Sequence, residues 1–81
     1  MNSIFIVKEL YPDYDIRSVH QTYELARKAA EEDHNRGFKL PFSVDEYRFE
    51  IDGGRPYNQW YLEEKTSEWR QVIKEGEWLS K

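Results

Sequence analysis

The chain has 81 residues, no cysteine, and sixteen acidic against twelve basic residues, for a net charge of −4. That length builds one core, so a single domain over residues 1–81 is expected, and the missing cysteines exclude a disulfide framework. The mild, evenly spread negative charge argues against a basic face for nucleic acid and is too small for a DNA mimic.

Four Phe, six Tyr and three Trp make thirteen aromatic residues, more than a small sheet under one helix can hide. Several are therefore expected at the surface. The apolar run Ile4-Phe5-Ile6-Val7 is far too short for a signal-peptide core or a membrane span, and Lys8 and Glu9 follow at once. A cytoplasmic protein without a membrane segment is expected. With Met1 leading straight into this run, the chain reads as a complete small gene product.

Taken in order, Ser3 to Leu10 carries consecutive apolar side chains, as a strand covered on both faces does, and predicts a central strand. Tyr11-Pro12-Asp13-Tyr14-Asp15 has turn chemistry. Asp15 to Gln21 alternates loosely, with Ile16, Ser18 and His20 on one side and Arg17, Val19 and Gln21 on the other, and predicts an edge strand. Thr22 is a good N-cap for a helix over Thr22 to Arg36, with an apolar stripe of Leu25, Ala26, Ala29 and Ala30 and a stop at Gly37. The pairs Glu24–Lys28, Arg27–Glu31 and Lys28–Glu32 lie four residues apart and support it.

Phe38 to Phe42 reads as a connector. Tyr47, Phe49 and Ile51 then alternate with Glu46, Arg48 and Glu50 as a half-buried strand, and Asp52-Gly53-Gly54-Arg55-Pro56 turns the chain into a strand over Tyr57 to Leu62. In the tail, Trp69, Val72 and Ile73 fit a helix from Thr66 to Gly76. The alternative is a hairpin over Trp60 to Ile73, turned around Lys65 to Ser67. Connection rules place the elements in an α+β fold: a four-stranded, mostly antiparallel sheet of order 2-1-3-4, one helix packed on it, and a short C-terminal helix.

Over Ile4 to Ile51, the succession of Ile4-Phe5-Ile6-Val7, a strand ending near Val19, the stripe from Tyr23 to Ala30, and Val44-Asp45-Glu46-Tyr47-Arg48-Phe49-Glu50-Ile51 resembles small uncharacterised proteins of bacteria and their phages. The resemblance covers a little over half the chain and implies a ββαβ core. It implies no activity, cofactor or catalytic residue.

No motif carries chemistry. Without Cys, and with His20 and His34 neither spaced as ligands nor joined by a third partner, no metal is expected; Asp13 and Asp15 read as turn residues. Asp45 and Glu46, like Glu63 and Glu64, are adjacent and point to opposite faces of a strand, so neither pair is a catalytic dyad. Gly53-Gly54 sits between strands and cradles no phosphate. The richest stretch is the aromatic one: Tyr57, Trp60 and Tyr61 with Trp69, Trp78, Arg55 and Arg70 have the composition of an interface anchor. A second candidate surface is the unpaired backbone of the edge strand Asp15 to Gln21. These residues predict a noncatalytic protein-interaction module without cofactor, binding another protein or itself as a homodimer. An accessory or inhibitory protein of a bacterium or phage fits that description. Single-stranded nucleic-acid binding is the alternative, and a small enzyme comes third.

Overall fold

The computed structural model describes residues 3–36, 40–48 and 55–79. Strands β1 (Ser3–Glu9) and β2 (Asp15–His20) lead into helix α1 (Tyr23–His34), followed by β3 (Phe42–Arg48), β4 (Asn58–Leu62), β5 (Trp69–Lys74) and β6 (Glu77–Trp78). All neighbours pair antiparallel in one six-stranded sheet of order β2-β1-β3-β4-β5-β6. The expected four-stranded sheet of order 2-1-3-4 with a C-terminal helix is thus overturned in both sheet size and order.

The tail explains the difference. Lys65 and Ser67 adopt φ of 72° and 64°, which breaks any helix between them and reverses the chain from β4 into β5. Glu75 and Gly76, at φ 51° and 84°, are the two successive left-handed residues that a two-residue type I′ hairpin turn requires. Gly76, read from the sequence as a helix stop, instead closes the β5–β6 hairpin, where glycine takes positive φ without steric penalty. The expected turn at Asp52-Gly53-Gly54, the Gly37 helix stop, and Phe49 to Ile51 lie outside the described residues.

Two more expectations change. β3 begins at Phe42, inside the expected connector, and Phe42 to Glu46 are buried at five successive positions. It lies in mid-sheet between β1 and β4, with α1 packed over Phe42 and Val44 on one face and Lys8 and Gln59 reaching Asp45 on the other. In β2, Val7 pairs with Ser18 but Lys8 pairs with Ile16, leaving Arg17 as the extra residue of a bulge. Strict alternation separates Ile16 from Val19; the bulge puts both on one face.

Helix α1 forms where local signals agree. The Thr22 hydroxyl accepts from the Leu25 N–H at 3.2 Å, and Arg27 donates to Glu31 one turn on at 3.1 Å. Ala26 and Ala30 bring the helix close to Val7, Phe42, Val44 and Leu62, and Phe5, Tyr23, Ala29, Leu40, Trp60 and Trp69 border this core. Leu25, expected in the stripe, is 55% exposed, whereas His34 is buried. Ala26, Ala30 and His34 recur every four residues, so they share one helix face. The His34 Nδ1–H donates to the Leu40 carbonyl at 2.8 Å, Nε2 bonds the Ser67 hydroxyl at 3.0 Å, and the ring meets Phe42 edge-on. His34 thereby ties the helix end to the β4–β5 turn. No helix among the described residues is long and apolar enough to cross a membrane.

His34→Leu removes both hydrogen bonds and leaves the part-buried Leu40 carbonyl without its donor, so it should lower unfolding free energy by about 2 kcal/mol. A urea midpoint that does not move would show that His34 is a bystander.

Candidate functional site: the helix-free sheet face

Residues that pair across neighbouring strands share a face, so the register locates the side chains away from α1. Ile16 and Val19 lie beside Lys8 and Ile6, Asp45 beside Ile6 and Gln59, and Tyr61 beside Ser43 and Arg70. The middle of this face is polar and buried, whereas its β2 end is apolar and exposed.

Asp45 is completely buried at the centre. One carboxylate oxygen lies 2.9 Å from Lys8 Nζ on β1, and the other accepts from the Gln59 amide on β4 at 3.0 Å. Burial works against the charge on Lys8, yet the hydrogen bond and charge of Asp45, helped by Tyr47, prevail and hold its ammonium above the ordinary value. On the opposite face, Glu46 accepts from Ser3 Oγ on β1 and Asn58 Nδ2 on β4, each at 2.7 Å. Asn58 Oδ1 in turn accepts from Gln71 Nε2 and the Glu75 N–H, both at 3.1 Å. The two adjacent acids each clamp the same three strands, one from each face. Their burial is invisible in the sequence, because the cross-strand partners that cover them lie at least twelve residues away along the chain, Arg48 alone being a near neighbour of Glu46 at 3.6 Å.

The seven aromatic and arginine candidates are divided. Trp60 packs on Tyr23 at a ring distance of 4.3 Å, and Trp69 donates its indole N–H to Glu31 at 2.7 Å under the Arg27 guanidinium. Both therefore serve the helix side. Tyr57 lies against the Arg48 guanidinium at 3.8 Å, and Arg55 is exposed beside buried Pro56. Tyr61 and Arg70 do meet, at 5.1 Å on the helix-free face, where Arg70 also pairs with Glu63 at 2.9 Å. Burial first, then the nearby Glu63 and Glu64 carboxylates, pushes the Tyr61 phenol above its ordinary value, with a smaller contribution from Tyr14. Trp78, 63% exposed, sits at the far β6 edge opposite Ile73.

Sequence reasoning missed the side chains at the other edge. Tyr11, Tyr14, Ile16 and Val19 are each more than half exposed, and they are four of the seven large exposed apolar residues among those described. Two tyrosines flanking a proline in a polar turn were the available signal.

Between β2 and α1 lies an open groove of about 370 Å³, lined by Arg17, Ser18, His20, Ala29 and Asp33, among others, and Ile16 of the edge strand also borders it. His20 is half-buried and bonds Ser18 through Nε2 at 2.8 Å. A serine nucleophile also needs an acid to orient the imidazole. Asp33 is instead engaged by Arg17 and Arg36, at 3.8 and 3.4 Å. Among the described residues, no group of three or more His, Asp or Glu could hold a metal ion.

Asp45→Asn leaves Lys8 without its counter-charge and should cost about 3 kcal/mol in chemical denaturation; a loss below about 0.5 kcal/mol would show that the pair is dispensable. Trp69→Phe keeps an aromatic side chain, though a smaller one, and deletes the donor. The Trp69 hydrogen bond, opposed by burial and supported by Arg27, holds the Glu31 carboxyl below its ordinary value. A depressed carboxyl pKa adds stability that is full at neutral pH and fades as pH falls through the glutamate range. The wild-type advantage over Trp69→Phe, about 1 kcal/mol at pH 7, should therefore shrink on acidification. Melting curves from pH 7 to about 3 test this, and a gap that is constant with pH would refute the link.

No family model, curated protein or solved structure matches the chain.

Proposed function

We propose that this protein is a noncatalytic protein-interaction module that docks through the β2 end of its helix-free face. The supporting observation is the clustering of Tyr11, Tyr14, Ile16 and Val19, exposed by 60, 80, 62 and 55%, on and beside one edge strand. Large apolar side chains gathered at an edge favour association, whereas scattered ones carry no such meaning. The two sheet edges also differ in kind. β6 ends the sheet with two residues, a length that limits unwanted pairing, while β2 offers six. A role as an accessory or inhibitory protein of a bacterium or phage fits this mode of action.

The rival reading, single-stranded nucleic-acid binding, needs free cations beside stacking rings. On this face Lys8 and Arg70 are each held by a carboxylate at 2.9 Å. That pairing favours a protein surface over a phosphate backbone.

The test compares the tagged wild-type chain with an Ile16→Glu/Val19→Glu double variant. Each is used to capture proteins from nuclease-treated bacterial lysate that also contains an untagged copy of the chain. Wild type should retain a stoichiometric protein, either a lysate protein or the untagged copy. The variant should lose it with a melting temperature changed by no more than a few degrees, because both sites are exposed. Equal retention by both chains, or retention of nucleic acid alone when nuclease is omitted, would overturn the proposal.

A further inference from the structure

We infer that the occupant of the β2 edge is a second copy of this chain, paired β2 to β2 antiparallel about a twofold axis between Arg17 and Ser18. This rests on the interaction reading above and names its partner.

The strand is complementary to itself in this register. Reversed against its own copy, Asp15-Ile16-Arg17-Ser18-Val19-His20 sets Ile16 opposite the partner's Val19, Asp15 opposite the partner's His20, and Arg17 opposite the partner's Ser18. Apolar therefore meets apolar, and an acid meets an imidazole. The faces agree as well. Ile16 and Val19 both lie on the helix-free side, beside Lys8 and Ile6, while Asp15, Ser18 and His20 lie beside Glu9, Val7 and Phe5 on the helix side. Without the bulge at Arg17, Ile16 and Val19 would point to opposite faces, and this register would set each against a side chain pointing the other way. The bulge turns an irregular edge into one that matches its own reverse.

Charge near the axis is already compensated. The two Arg17 side chains come close to each other there, but each is paired within its own chain to Glu9 and Asp33, at 3.6 and 3.8 Å. The pairing would cover Ile16 and Val19, two of the most exposed aliphatic side chains described, and would extend each six-stranded sheet into its copy.

Because the chain lacks cysteine, engineered thiols read the register directly. Opposed residues in an antiparallel pair have Cβ atoms about 5 Å apart, within reach of a disulfide, whereas Ile16 and the partner's Ile16 are offset by about 10 Å along the strand. Ile16→Cys and Val19→Cys chains are purified separately and oxidised mildly, alone and mixed. Circular dichroism confirms that each is folded. The mixture should give a cross-linked heterodimer, and each chain alone little or none.

Sedimentation of the wild type should show a species of twice the monomer mass. Ile16→Lys/Val19→Lys, which opposes like charges, should reduce it to monomer, and Ile16→Lys/Val19→Glu, which opposes unlike charges, should restore it. Cross-linking that ignores position, or a wild type monomeric at its highest attainable concentration, would overturn the inference. A monomer that still captures a lysate protein through Ile16 and Val19 loses only the second copy as partner. One whose capture is unaffected by the Ile16→Glu/Val19→Glu pair loses the docking face as well.

Discussion

The fold depends on β3 and on the two adjacent acids at its centre. Asp45 and Glu46 project to opposite faces, and each reaches one residue of β1 and one of β4: Lys8 and Gln59 for the first, Ser3 and Asn58 for the second. A buried carboxylate without partners is strongly unfavourable, so these two groups discriminate against any register that displaces β1 or β4 from β3. A slip by one residue would turn every side chain to the wrong face and separate both acids from their partners.

The amount of helix sets the second constraint. Twelve residues make a helix about 18 Å long, whereas six strands at about 4.8 Å spacing make a sheet about 24 Å wide, with a second face that α1 never touches. Trp60 and Trp69 extend the cover on the helix side through Tyr23 and Glu31. The other face covers its middle with the Lys8–Asp45 pair and leaves its β2 end apolar and open, which is why the proposed docking surface is placed there.

Local signals carried well and distant ones did not. Thr22 capping, the Ala26–Ala30 stripe and the turn near Pro12 rest on residues within one or two helical turns of each other, and a single sequence displays them fully. The spacing of Trp69, Val72 and Ile73 is equally local, but pairing with β4 and the left-handed residues Lys65, Ser67 and Glu75 prevailed over it. The burial of His34, Asp45 and Glu46 arises from partners as far away as Ser67, Lys8 and Ser3, which no window reveals. At the candidate face, the edge position of β2 was readable from its polarity. The bulge that gathers Ile16 with Val19 was not, since it depends on how β1 meets it. The aromatic richness was plain, and strand alternation alone sets Trp60 and Tyr61 on opposite faces, but which of them meets α1, and that Trp69 joins Trp60 there, required the actual register.

The strand order also distributes conformational entropy unevenly along the chain. The side-chain bonds joining β3 to β4 and β4 to β5 link residues 12 to 14 apart, and β1 and β2 form a hairpin across a short turn. The polar side-chain contacts between β1 and β3 span 37 to 43 residues, with α1 inside the loop they close. Two locally assembled pieces, β1–β2 and β3–β6, therefore meet at one seam, and most of the loop-closure entropy of the topology is concentrated there. The paired acids of β3 stand on that seam, so the most specific polar contacts of the molecule coincide with its least local step.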